Sequence, residues 1–581
     1  MPESWVVRRI WSPLRKLVSK LPERNLLLIL SLITGICCGV VAVLLKLAIH
    51  ELQHLVSSAA SAASWTKYLL IVFPGVGMLL SLVIVRYLVR DNISHGVTQV
   101  LVAVSKNESR IKKHNMWSSM VTSALTIGLG GSVGAEAPIV YTGAAIGSNL
   151  ARYMGLQYRN MTLLLGCGAA GAVAGIFNAP LAGVLFALEI LMFNLSMSSI
   201  LPLLVSTVSA TVVSYLCLGR MTLLPCTLTP FSMGNIPFYL VLGVFCGFCS
   251  LYFMRMTLLL EDGLSRLKNV WVRWALSAAA LGLLVFLLPP LYGEGYESLH
   301  PMLNGSEAGL RTVGLFALVL LLKVFSMTFT NAGGGVGGTF GPTLFVGAVA
   351  GFVLASGTNL IAPGTVPVSN FVLVGMAGLM AGVMQAPMTA IFLIAEISGG
   401  YDLFLPLIIT AAVSYGVMRI FEKYSIYTKR IAKTGELLTH DSDQAVLTLL
   451  KTASLVETDF SPVRMDATLG DLVEAVAASK RNIFPVLDAR KRFQGYVALA
   501  DIRRDMFRTD LYEKNHVYNY MLSAPAYVYP DEAMESVMRK FETTGEWNLP
   551  VVTEERIYLG FVSKSRIFNA YREELKEVTA E

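Results

Sequence analysis

The sequence predicts an all-α polytopic membrane domain followed by a smaller soluble α/β domain made of two repeated units. Three observations predict it. Of 581 residues, 54% are hydrophobic and only 15% charged, where a soluble chain carries about 25% charged residues. The missing charge is missing locally. Apolar runs near 26–49, 68–85, 162–190, 199–217, 237–260, 274–292, 312–329, 371–397 and 403–418 are close to or longer than the ~20 residues that cross a bilayer core. From about Thr434 onward charges recur every few residues and no long apolar run survives. The predicted organisation is a terminal segment at 1–24, a membrane domain at 25–432, a linker at 433–454 and a tail at 455–581 with units near 455–510 and 516–575.

The first segment carries Arg8, Arg9, Arg15, Lys16, Lys20 and Arg24 ahead of the first apolar run. That run continues past Val40 without a small-residue cleavage site, so it reads as a membrane helix and not a secretory signal. The basic flank predicts cytoplasmic N- and C-termini on an integral, multi-pass protein. Trp5, Ile10, Trp11, Leu14 and Leu17 suit a helix lying on the lipid surface. The net charge of +7 is spread over such edges, which calls for lipid headgroups and no nucleic acid. Cys246 and Cys249 have redox or zinc spacing, but without His or carboxylate neighbours they read as buried thiols.

Two halves of the membrane domain repeat each other. Gly131-x-x-Gly134-x-x-x-Pro138 followed by Gly143-Ala144-x-x-Gly147 returns 204 positions later as Gly335-x-x-Gly338-x-x-x-Pro342 with Gly347-Ala348-x-x-Gly351. Gly171-x-x-Ala174-Gly175, Ala179-Pro180 and Glu189-Ile190 return 207 positions later as Gly378-x-x-Ala381-Gly382, Ala386-Pro387 and Glu396-Ile397. Paired repeats in transporters are commonly inverted, with the substrate held near the midplane where broken helices meet. Glycines running into a first-turn Pro suit that role, because unsatisfied N–H groups at a helix start attract an anion. Close helix packing through small residues accounts for Gly143 and Gly147, but not for the Gly-to-Pro stretch in both halves.

These residues resemble the CLC family of chloride channels and transporters. Gly134-Ala135-Glu136-Ala137-Pro138 matches its GKEGP-type motif, and Gly338-Thr339-Phe340-Gly341-Pro342 matches GxFxP. Ser94-His95-Gly96-Val97-Thr98 is a degenerate GSGIP-type motif, with either His95 or, one residue earlier, Ser94 at the anion-contacting position. The late tyrosine of the site corresponds to Tyr427, with Tyr424 as the alternative. The resemblance implies a CLC fold, an inverted repeat of tilted and broken helices. It implies an anion site formed by Ser94, His95, Gly96, Val97, Gly134, Ala135, Ala137, Gly338, Thr339, Phe340 and Tyr427. It makes Glu136 the gate, a carboxylate that competes with anions and swings away when protonated. An intramembrane acid is costly enough to be functional by default. Ala135 and Ala137 depart from the Lys and Gly common in that motif, which bears on conductance and gating. In proton-coupled members a second, inner glutamate falls at the position of Ile190, with Glu189 just before it. Ile190 cannot carry a proton, which tilts the expectation toward a channel and leaves Glu189 or water as substitutes.

The tail repeats with an offset of 65: Asp466, Leu469, Pro485, Gly495, Val497 and Ile502 return as Asp531, Met534, Pro550, Gly560, Val562 and Ile567. This resembles a tandem CBS pair, a module that can bind an adenine nucleotide through a Ser/Thr and an Asp three residues on. Here one unit offers Ala498 and Asp501, the other Ser563 and Arg566, so each site lacks one member. The expectation is therefore a homodimeric chloride channel, gated by voltage or protons at Glu136, with one pore per subunit. The alternatives are a chloride/proton antiporter and, ranked lower, a fluoride exporter. No catalytic or metal constellation argues for an enzyme; His440 and His516 have no ligand spacing around them.

Overall fold

A computed structural model describes residues 22–61, 69–191, 197–219, 228–303, 309–433, 450 and 452–579. The amphipathic segment expected before residue 22, and most of the linker expected at 433–454, lie outside the described residues. The chain divides into two units, at 1–438 and 439–581.

Among the described residues, the regular elements of the first unit are helices. Its helices are α1 (Glu23–Ser61), α2 (Leu69–Val83), α3 (Gly96–Lys106), α4 (Ser118–Gly128), α5 (Glu136–Met154), α6 (Tyr158–Phe177), α7 (Pro180–Glu189) and α8 (Met197–Leu218). After them come α9 (Ile236–Ser265), α10 (Val270–Leu287), α11 (Leu310–Ala332), α12 (Phe340–Ile361), α13 (Val368–Met384), α14 (Pro387–Ile397), α15 (Phe404–Phe421) and α16 (Ile426–Lys433). Among the described residues, nine stretches are long and apolar enough to cross a membrane. Side chains such as Leu216 and Ile361, 77% and 90% exposed, project outward as a lipid-facing surface does. Helix α5 is not among the nine, and almost all of it is buried inside the protein.

Two of the apolar runs are not single crossings. The 162–190 run breaks at Asn178, which takes a left-handed conformation (φ 56°) between α6 and α7. The 371–397 run breaks at Gln385 (φ 54°), between α13 and α14. In each case Ala-Pro follows. Proline restricts the residue before it and starts the next helix well, since it has no N–H to leave unsatisfied. The repeat also governs packing. A Cβ on Gly143 would lie 2.2 Å from the carbonyl oxygen of Gly168, and one on Gly347 would lie 2.5 Å from that of Gly375. Small residues thus let α5 meet α6, and α12 meet α13, backbone to backbone.

The second unit holds two matching α/β modules. In one, β2 (Ile483–Leu487) pairs antiparallel with β3 (Phe493–Ala498), and β1 (Val463–Arg464) joins β2 in parallel. In the other, β4 (Asn548–Val552) pairs antiparallel with β5 (Tyr558–Ser563). The register pairs Ile483 with Ala498 and Asn548 with Ser563, and both ladders are irregular one residue before their ends. Val463 opposite Val486 is matched by Val528 opposite Val551. Every pair is offset by the 65 residues of the sequence repeat. Helices α17 (Leu469–Ala478), α18 (Met534–Thr544) and α19 (Lys564–Thr579) flank the sheets.

Candidate functional site

The two Gly-rich stretches meet face to face. Gly134 N–H donates to Gly338 O at 3.1 Å and Gly338 N–H to Gly134 O at 2.7 Å. Ser132 N–H donates to the Thr330 hydroxyl and Val336 N–H to the Thr126 hydroxyl, both at 3.1 Å. Each of these residues lies 204 positions from its counterpart, so the clasp is internally two-fold. It brings the start of α5 against the start of α12, and their unsatisfied N–H groups make the junction attractive to an anion.

A carboxylate occupies that junction. Glu136, 3% exposed, curls back so that Oε2 accepts the Gly341 N–H at 3.2 Å. Gly134 must lack a side chain, because a Cβ there would sit 2.0 Å from that oxygen. Thr339 and Phe340 are buried beside it, and the Phe340 ring packs on Phe177 with centroids 5.3 Å apart. Tyr427, at the first turn of α16, is buried. Its hydroxyl faces Thr339 and donates to Met384 Sδ at 3.6 Å. Tyr424 instead lies before α16 with Lys423 Nζ 5.7 Å from its ring centroid. The structure therefore brings together Gly134, Ala135, Glu136, Ala137, Gly338, Thr339, Phe340 and Tyr427.

The first motif contributes backbone more than side chains. Gly96 starts α3 so close to α5 that a Cβ would lie 2.4 Å from Ala137 O, and Val97 is buried beside it. The Ser94 hydroxyl donates to Asn92 Oδ1 at 2.6 Å, closing a local turn. His95 is left-handed (φ 55°), and its Nε2 lies 3.8 Å from Glu261 Oε1. Arg430 binds the same carboxylate at 2.6 Å. Among the described residues, neither the Ser94 nor the His95 side chain hydrogen-bonds Thr339 or Tyr427.

Sequence reasoning missed a strap at 289–296. Ser132 Oγ donates to Leu291 O at 2.8 Å, Gly293 N–H to Gly130 O at 3.2 Å, and Ala135 N–H to Glu294 Oε1 at 3.0 Å. Lys323 of α11 is fully buried; its Nζ donates to Gly293 O at 2.8 Å and lies 4.9 Å from the Phe345 ring centroid. Helix α10 separates this strap from the Glu261 end of α9 by 18 residues, about 27 Å of helix. The strap and the Glu261 end of α9 therefore lie at opposite ends of α10, a helix long and apolar enough to cross a membrane.

Comparison with known proteins gives the same architecture. The sequence profile of the voltage gated chloride channel family matches residues 76–419. The chain belongs to that family, the CLC proteins. The voltage-gated ClC-type chloride channel ClcB of Escherichia coli (strain SMS-3-5 / SECEC) is 28% identical over 318 residues, 54% of this chain and 75% of that one. The H(+)/Cl(-) exchange transporter ClcA of Cronobacter sakazakii (strain ATCC BAA-894) is 26% identical over 441 residues, 72% of this chain and 92% of that one. The crystal structure of a slow cyanobacterial Cl−/H+ antiporter superposes with a TM-score of 0.64 at 23% identity, covering 71% of this chain and 99% of that one. A CBS domain profile matches residues 517–573. The protein is an integral, multi-pass membrane protein of a chloride-transporting family.

Within this CLC protein the expected proton candidate Glu189 has a structural occupation. Its carboxylate accepts Met388 N–H at 3.0 Å, Thr389 N–H at 2.6 Å and the Thr389 hydroxyl at 2.7 Å, capping α14. Glu396 returns the arrangement, accepting Leu181 N–H at 3.1 Å and Ala182 N–H at 2.9 Å to cap α7. Both carboxylates neutralise exposed helix starts. Ile190 is buried next to Glu189. In the CBS pair, the Ser563 hydroxyl donates to Glu457 at 2.6 Å, and Arg481 pairs with Glu457 at 2.8 Å. Asp501 sits in the short turn after β3.

Proposed function

We propose that this chain is a chloride/proton antiporter in which Glu136 serves both ions. One observation carries the reading. The Glu136 carboxylate sits on the N–H at the start of α12, in the seat an anion would take. A single group that blocks the anion when charged and leaves when protonated links the two fluxes. The exchange transporter named among the relatives spans more of this chain than the ClcB channel does. Inner proton transfer then passes by water, because Glu189 is committed to capping and Ile190 cannot titrate. Thr339, Phe340 and Tyr427 line the anion path, whose weak backbone donors suit rapid release. The reading retains a homodimer with one path per subunit and both termini in the cytoplasm. The basic residues before α1 support that orientation.

A passive channel gated at Glu136 is the second reading, favoured by Ile190. Reconstituted protein separates the two. For an antiporter the reversal potential moves with an imposed proton gradient; a potential fixed at the chloride Nernst value overturns that reading and leaves the channel.

A further inference from the structure

We propose that Glu294 and Tyr296 on the strap form a proton-transfer chain to Glu136, supplying the gate with its proton from the exposed side of Glu294. The inference rests on the antiporter reading.

Glu136 is 3% exposed, whereas Glu294 keeps partial exposure. The inner acid therefore needs a route to water, and the outer acid has one. Three hydrogen bonds tie the strap to the 130–135 loop that carries the gate, including the one from Ala135 N–H to Glu294 Oε1. The Tyr296 hydroxyl is buried; it faces the Glu136 carboxyl, with Glu294 within electrostatic reach. A hydroxyl that faces two carboxyls suits a relay, since on hydrogen-bonding to both it can accept one proton while releasing its own. The other charged groups facing Glu294 are Lys323 and Lys46. They offset the two acids and keep the cluster tolerable in a low-dielectric interior.

In the transfer, the O–H bond of protonated Glu294 breaks and its proton passes to the Tyr296 oxygen. The tyrosine releases its own hydroxyl proton to Glu136, which leaves the Gly341 N–H as a neutral acid. Glu294, now a carboxylate, takes a proton from hydronium in the solution at its exposed side, leaving water. No charge is left behind on the tyrosine.

Glu294 is a positioning residue as well, so the test separates the two contributions. Glu294→Gln keeps an oxygen to accept the Ala135 N–H but cannot carry a proton; Glu294→Asp keeps the proton. The full chain is reconstituted in liposomes, and proton and chloride fluxes are followed together across a pH series. Proton flux is expected to fall about tenfold or more in Glu294→Gln and in Tyr296→Phe, with substantial recovery in Glu294→Asp. Chloride affinity should stay within about threefold of wild type. Wild-type proton flux in Glu294→Gln, or equal losses in the Gln and Asp variants, overturns the proposal. If the wild type moves no protons at all, the antiporter reading falls by itself. The chain is then judged by the pH dependence of chloride flux, which Glu294→Gln must shift; an unshifted profile overturns it.

Discussion

Replacing Glu136 with alanine tests the seat at the α12 start most directly. In the wild type, Oε2 accepts the Gly341 N–H at 3.2 Å, and an anion must displace it. A hydrogen bond to a charged group contributes about 1.5–3 kcal/mol, and the helix terminus adds about 0.3–1 kcal/mol that any anion would share. Removing the carboxylate removes the competitor, so apparent chloride affinity should rise by about 1.5–3 kcal/mol, or about 10- to 150-fold. Glu136→Gln mimics the protonated acid, which leaves the seat, and should give a rise of similar size. Calorimetric titration of purified protein measures the change, and a bromide-soaked crystal of Glu136→Ala should show anomalous density beside Gly341 N. Affinity within about threefold of wild type, with density elsewhere, would refute the claim that the carboxylate occupies an anion seat.

Three further outcomes are expected. Glu189→Ala strips the cap from α14 and should cost about 1–3 kcal/mol of stability, seen as a lower melting temperature, with the proton-to-chloride ratio unchanged. A changed ratio with unchanged melting would return Glu189 to the proton path. Titrating the intact protein with adenine nucleotide should give no binding heat while Ser563 is held by Glu457, itself paired with Arg481; micromolar binding would contradict this. In the tail, burial pushes the Glu532 carboxyl up, but Lys540, Ser536 and the Tyr529 N–H outweigh it and hold it below its ordinary value of 4.5. That depressed group stabilises the fold above the unfolded value, and its contribution disappears as pH falls through the folded one. The protection factors of α18 amides, exchange being referred to its intrinsic rate at each pH, should therefore fall on acidification, and Lys540→Met should remove most of this dependence.

Much of this was readable from residues. Glu136 stood out because a lone carboxylate in an apolar, Gly-rich stretch has few explanations, and the paired Gly-to-Pro blocks placed both helix starts. The repeat offsets of 204, 207 and 65 reappear in the clasp, the caps and the CBS ladders. The breaks at Asn178 and Gln385 were hidden because hydropathy is blind to one left-handed residue; the Ala-Pro after each was the available signal. Helix α5 escaped the hydropathy reading because a helix enclosed by protein is built from Gly, Ala and Ser and needs no lipid-facing surface. Glu294 resembled any polar loop residue. Its signal was elsewhere: Lys323 is an isolated charge in the 312–329 run, and an intramembrane lysine calls for a partner. Ser94 and His95 stayed ambiguous because a one-residue slip exchanges them, and their side chains turn to Asn92 and Glu261.

The crossed caps also set a schedule for biogenesis. The α7 start waits for a carboxylate made 215 residues later, since Leu181 N–H is satisfied by Glu396. At ribosomal speeds of roughly 5–20 residues per second, that is an interval of about 10–40 s. Throughout it the first half sits in the bilayer with an unfinished helix end, dependent on the insertion machinery or on water. A nascent chain arrested between the two halves is therefore a distinct, client-like species, and the second half completes the first as it emerges.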